Sequence, residues 1–222
     1  MRKSVCFCLL VALASLNACV SKEEGTALNQ IISLLDNKNV LLKKGLSTKS
    51  GKYYEIEIRD LKYNPEYQES QLEGATSISA LLLHQNLTNN AQVNYQTIIV
   101  SIKNKNIELK KNYKKNDLLK VEKAWNSVEG LLTAFKDKDR KLLKEVMDKK
   151  AIGTVNVDSL IALLHKIDNE YGIVKGVAVR GFKLNGMNQV QFWAYLKRPN
   201  EVNQRVDLTI ENNTMKVVEF DF

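Results

Sequence analysis

The sequence predicts an α+β fold in two parts, a helix–strand–helix–hairpin unit followed by three helices and an antiparallel sheet. Three observations predict it. Apolar residues recur at three- and four-residue steps in several separate stretches, the pattern of helices with one buried stripe. Elsewhere the step changes to two, with β-branched and aromatic residues on one side, the pattern of strands with one wet face. The final stretch carries Asn185-Gly186, the strongest short hairpin signal, and two further turns at Arg198-Pro199-Asn200 and Asn212-Asn213.

The elements follow in order. Leu28, Ile31, Ile32, Leu35 and Leu42 fall on one helical stripe within residues 27–44, with Gly45 as its C-cap. Tyr54, Ile56 and Ile58 alternate with Glu55, Glu57 and Arg59, a strand from Tyr53 to Lys62 closed by Asn64-Pro65. Ala75, Ile78, Leu81 and Leu82 return to helical spacing between Gly74 and Leu87, stopped by Asn89-Asn90. Val93 to Ile102 and Ile107 to Leu109 read as a hairpin turning at residues 103–106. The lysine-rich segment Lys110 to Asn116 has no apolar run and reads as the joint between the two parts.

Asp117 then opens a helix that buries Leu118, Val121, Trp125, Val128, Leu132 and Phe135. A second helix carries Leu142, Leu143 and Val146 inward, and a third runs from Asp158 as N-cap through Leu160, Ile161, Leu164 and Ile167 to Gly172. Val177, Val179 and Phe182 begin the sheet. Val190, Phe192, Ala194 and Leu196 share one strand face, with Gln191, Trp193, Tyr195 and Lys197 on the other. Val206, Leu208 and Ile210 form the next strand, and Met215 to Phe222 the last.

The first residues form a secretory signal, with Arg2 and Lys3 as its charge and Val5 to Leu16 as an apolar run too short to span a bilayer. Leu16-Asn17-Ala18-Cys19 resembles the lipobox of bacterial lipoproteins. That resemblance implies cleavage before Cys19, a diacylglyceryl group on its sulfur, and residence in a bacterial cell envelope, with the outer membrane and its surface as the expected place. The bilayer is then a partner through the acyl chains, and two chains give stable attachment where one gives only reversible binding. All three cysteines, Cys6, Cys8 and Cys19, lie in the signal or at the cut, so the body has no thiol for a disulfide, a metal or a nucleophile. Loss of Arg2 and Lys3 leaves 31 Lys and Arg against 25 Asp and Glu, a net +6 that speaks to solubility rather than to a specific partner.

The expected organisation is therefore a signal over 1–18, a lipidated cysteine and tether over 19–26, an N-terminal α+β domain over 27–112 and a second α+β domain over 115–222. Within the tether, Lys22-Glu23-Glu24 resembles the lysine-plus-acidic export signal of Bacteroidetes surface lipoproteins. The Trp125 to Phe135 helix, the polar break at Lys138-Asp139 before Leu142, and the strand Met215 to Phe220 resemble the nuclear-transport-factor-two-like fold, also called cystatin-like or SnoaL-like. That resemblance implies a cone, with three helices packed on a curved antiparallel sheet around an apolar pocket. Enzymatic members of the fold place an acidic residue inside the cone, often with tyrosine or histidine. Here the assignable inward positions are apolar, and a fold of this kind does not itself dictate a function.

No catalytic constellation accompanies these elements. His84 and His165 are the two histidines, both at the edge of an apolar stripe and read as partly buried structural residues, so a histidine-rich metal site is excluded. Phosphate loops, His-Glu-x-x-His, EF-hand and Gly-x-Ser-x-Gly motifs are absent. The lysines from Lys103 to Lys123 are diluted by Glu108, Asp117 and Glu122 and read as a solvated face; nucleic acid is not an expected partner. Trp125, Trp193, Tyr195 and Gln191 are the pocket candidates, although strand pattern alone leaves open which face of their sheet is inside. The residues favour a non-catalytic lipoprotein binding a ligand or partner protein, without cofactor or metal. A small-molecule enzyme or carrier using the second domain's pocket, and a structural component of a surface assembly, are the alternatives.

Overall fold

A computed structural model describes residues 21–48, 51–65, 68–88, 94–105, 107–149, 156–186, 188–199 and 203–222. The signal segment and Cys19 lie outside the described residues, as do Asn89-Asn90, Val93 and Asn200. The fold is mixed, with five helices and two four-stranded sheets among the described residues. In chain order the elements are α1 (Lys22–Leu35), β1 (Val40–Ser47), β2 (Gly51–Arg59), α2 (Gln68–Thr88), β3 (Thr97–Asn104), β4 (Ile107–Lys114), α3 (Lys115–Asp137), α4 (Arg140–Val146), α5 (Val157–Tyr171), β5 (Gly176–Asn185), β6 (Gln189–Lys197), β7 (Asn203–Glu211) and β8 (Lys216–Asp221). None of these helices is long and apolar enough to cross a membrane.

The first sheet has the order β1-β2-β3-β4. Its β2 and β3 run parallel, so the chain must return to the end where it started, and α2 is that crossover. This helix is buried almost all round, from Leu72 through Ala75, Ile78, Leu81 and Leu83 to Leu87. Such a helix must be enclosed on more than one side. It packs on α1, on β3 and on β5 of the second sheet. The second sheet is an antiparallel meander, β5-β6-β7-β8. Val190, Phe192, Ala194, Leu196, Val206, Leu208, Ile210 and Val217 are all fully buried on one of its faces, under α3.

Three sequence expectations are corrected. The helix expected over residues 27–44 ends at Leu35 and is followed by a strand, so the first unit is helix–hairpin–helix–hairpin. Its stop is Asp36 in the left-handed region (φ 47°), whose N–H bonds the Ile32 carbonyl, and not Gly45. Gly45 lies inside β1, where a Cβ would stand 2.7 Å from the Tyr53 hydroxyl crossing over it. The tether expected to reach residue 26 stops at Ser21, which caps α1 in a reciprocal box with Glu24. Finally, Lys110 to Lys114 is not a linker but the second half of β4, which runs straight into α3. Its lysines suit an edge strand, where charge keeps the unpaired backbone from templating further strands.

The two halves share a single buried cluster. Phe182 N–H donates to Ser77 Oγ at 3.0 Å, and the Tyr113 ring meets the Phe182 ring edge-on at 5.9 Å between centroids. The closest approach is between two glycines. A Cβ on Gly181 would lie 2.6 Å from Gly74 Cα and 2.3 Å from the Trp193 ring, while one on Gly74 would lie 2.5 Å from the Arg180 carbonyl oxygen. Backbone-to-backbone packing of α2 on β5 thus requires glycine at both places.

Three buried carboxylates fasten the frame. Asp168 of α5 accepts from Arg198 Nη1 at 2.6 Å and pairs with Lys138, the left-handed residue that ends α3. Burial alone would raise its carboxyl, but Lys138 and Arg198 outweigh that and hold it below the ordinary range. Glu24 is tied to Tyr54 Oη at 2.8 Å and Lys44 Nζ at 3.2 Å, which joins α1 to the first hairpin. Its carboxyl also lies below the ordinary value, because the Ser21, Tyr54 and Lys44 donors overcome its burial. Glu57 is roofed by Lys43 at 2.8 Å, Arg59 at 2.5 Å and Lys103 at 3.5 Å, and the Lys43 and Arg59 hydrogen bonds bring it down to about 2.

Candidate ligand-binding cleft

The face of β6 opposite the core carries Gln191, Trp193, Tyr195 and Lys197, and it looks toward α1 and α2 rather than into a cone. The face toward α3 is filled by side chains. A cleft of about 700 Å³ opens on the outward side, between Leu34, Leu35, Leu61, Ala75 and Ile78 of the first half and Arg180, Trp193, Tyr195 and Lys197 of the second. A second hollow of about 680 Å³ lies beside it, walled by Thr26, Asn29, Gln30, Leu82, Trp125 and Val179. Leu34, Ile78 and Lys197 border both, so the two meet along one groove.

The walls have a one-sided chemistry. Lys62, Arg180 and Lys197 line the first cleft, and among the described residues no Asp or Glu lines either hollow. Apolar and aromatic surface with a few convergent polar groups is the usual make-up of a ligand site. Local sequence explains how Arg180 gets there. Val177 and Val179 are two apart but Phe182 comes three later, and that odd step is a bulge in the β5–β6 register between Val179 and Gly181. The bulge turns Arg180 toward α1, where its Nη1 donates to the Leu34 carbonyl at 3.0 Å and holds the cleft's two walls at fixed spacing. Trp193 is packed over Gly181 and against Gly74, and only a rim of it reaches the cleft.

The predicted pocket residues therefore separate. Trp193 and Tyr195 line the first cleft, Trp125 lines the second, and Gln191 lines neither, accepting instead from Asn185 Nδ2 at 3.3 Å. Trp125 stacks edge-on against Phe192, 6.1 Å between centroids, and its Nε1 donates to Glu129. Arg180, Lys62 and Lys197 were not singled out by sequence. The broken alternation before Phe182 was the available signal for Arg180, the strand face shared with Trp193 and Tyr195 was the signal for Lys197, and nothing distinguishes Lys62 from other surface lysines.

The histidines differ from the expectation of partial burial. His165 is exposed, whereas His84 is fully buried, hydrogen-bonded through Nδ1 to Tyr95 Oη and with Nε2 3.3 Å from Glu122. Desolvation lowers its pKa, opposed by Glu122, and favours the neutral ring. His84 lines neither cleft, and its contacts tie α2, the approach to β3 and α3 together. Among the lysines of residues 103–123, ion pairs join Lys103 to Glu57 at 3.5 Å, Lys110 to Glu55 at 3.2 Å, Lys111 to Glu73 at 3.8 Å and Lys120 to Asp117 at 3.7 Å.

No family model, curated protein or solved structure matches this chain.

Proposed function

We propose that this chain is a bacterial envelope lipoprotein, cut before Cys19 and held by acyl chains on that residue, whose body binds an anionic ligand with an apolar portion and does no chemistry on it. The observation that carries the binding reading is the groove between the halves: three cations, aromatic rims, aliphatic floors and, among the described residues, no carboxylate in its walls. The apolar walls would take the hydrocarbon or ring of such a ligand, and Lys62, Arg180 and Lys197 its charge. The three helices and antiparallel meander of the second half are in keeping with a nuclear-transport-factor-two-like unit over residues 115–222. The filled face under α3 favours the groove over a cone pocket, and with it binding over catalysis.

The test is a titration with 1-anilinonaphthalene-8-sulfonate, an anionic aromatic probe of this chemistry. Saturable binding at one site is expected. The double variant Lys62→Gln/Lys197→Gln touches only exposed side chains, so its melting temperature should not move. Two exposed cations at about 0.5–1 kcal/mol each predict roughly five- to thirtyfold weaker binding. Unchanged affinity in that variant would remove the groove as the binding site.

A further inference from the structure

The first hairpin carries an apolar side chain that nothing among the described residues covers. Along β1 the residues facing α1 are Val40, Leu42, Lys44 and Leu46, and their exposure climbs in that order until Leu46 stands 78 % exposed. The reason is geometric. α1 runs antiparallel to β1, Lys44 reaches Glu24 in the first turn of the helix, and Leu46 lies one further step beyond the helix start. Its cross-strand partner is Lys52, on the same face.

The chain outside the described residues says what lies there. Ser21 is fixed as the N-cap, its N–H bonded to Glu24 Oε2 at 3.0 Å, and Val20 alone separates it from Cys19. Two Cα steps span at most about 7–8 Å. From Lys44, already joined to Glu24, Leu46 is two strand residues away, again about 7 Å. By chain length alone, Cys19 is thus confined to the end of the molecule where Leu46 lies.

We infer that the β1–β2 hairpin seats on the bilayer that holds the anchor, with Leu46 inserted at the boundary of headgroups and acyl chains and Lys44 and Lys52 beside it at headgroup level. The inference rests on the lipidation of Cys19. Long lysine stems can lie along an apolar surface while the ammonium stays in water, which suits residues flanking an inserted leucine. The seat fixes the orientation of the whole body, because Glu24, Tyr54 and Lys44 lock the hairpin to α1.

The acylated full chain, reconstituted in vesicles containing anionic lipid, tests this. Its body has no other free thiol, so Leu46→Cys accepts a single nitrobenzoxadiazole label, and Leu163→Cys, exposed on α5, serves as the comparison. Nitroxide-bearing lipids should remove about half or more of the emission at position 46 and little at 163, as for a residue in the interfacial layer. Flotation of the protein with vesicles while the label at 46 stays as unquenched as that at 163 would overturn the seat and leave the anchor standing. Failure to float would overturn both.

Discussion

Asp168→Asn should be the most destabilising polar substitution in the molecule. Arg198 is 1 % exposed and Lys138 15 % exposed, and both lose their counter-charge together. Among the described residues Arg198 keeps Gly172 and Gln204 as acceptors. Breaking one partner of a buried pair typically costs about 3–5 kcal/mol, because the remaining charge is stranded away from water. Urea denaturation should show that loss, and Asp168→Leu/Arg198→Met should recover the part due to Arg198 by removing its stranded charge, while Lys138, 15 % exposed, keeps its own. The pH dependence has a defined sign. The Asp168 carboxyl is held below its ordinary 3.8, so its stabilisation is complete above that value and is lost as pH falls through the folded one. The asparagine variant should lack this part of the acid limb. A loss below about 1 kcal/mol would mean that the triad does not hold α5 to the sheet.

Gly181→Ala should have the largest effect of any added methyl. The new Cβ would meet the Trp193 ring at 2.3 Å and the Gly74 backbone at 2.6 Å, and no flexible side-chain end is there to yield. Overpacking of this sort costs about 1–3 kcal/mol, with backbone-on-backbone contacts at the upper end. Because the same contact sets the distance between α2 and β5, the variant should also shift the near-ultraviolet signal of Trp193. Gly186→Ala provides the contrast. It has open space around it and a φ of 65°, so its cost is only the left-handed backbone, about 1–2 kcal/mol, with no change at Trp193. Equal losses with equal spectra would contradict the close-packed seam.

Why some of this was legible and some not follows from particular residues. β6 and β7 could be read because one face is fully buried and apolar, so Val190, Phe192, Ala194 and Leu196 alternate without a break, and the other carries polar residues among which Trp193 is the large buried exception. α3 could be read because its buried set falls on the helical step and is bounded by polar residues. The end of α1 was hidden by Asp36, which adopts the left-handed cap without the glycine that normally announces it. Leu42 falls seven residues after Leu35 and so lies on the helical stripe by coincidence. The second half of β4 was hidden because an edge strand with one solvated face needs little apolar content, and Lys110 to Lys114 carries only Tyr113.

The groove was hidden for a different reason. Its walls come from elements more than a hundred residues apart, Leu34 and Arg180 for example, and only the register of α2 on β5 brings them together. Periodicity could place Trp193 and Tyr195 on a common face but not say that the face looks at α1. Sequence did single out Trp125, Trp193 and Tyr195, but not Lys62, Arg180 or Lys197. Pairing them correctly required the bulge at Arg180 and the two glycines, each a local departure from regular pattern.

The proposed location of the groove and the proposed seating of the hairpin both rest on acyl chains at Cys19, so the most direct measurement is of those chains. Cells fed labelled palmitate should incorporate it into the wild-type protein, which should fractionate with membranes and release only into detergent. Cys19→Ser should carry no label and leave the membrane fraction. A serine variant that stays with membranes, together with a wild type that never takes up palmitate, would contradict the account.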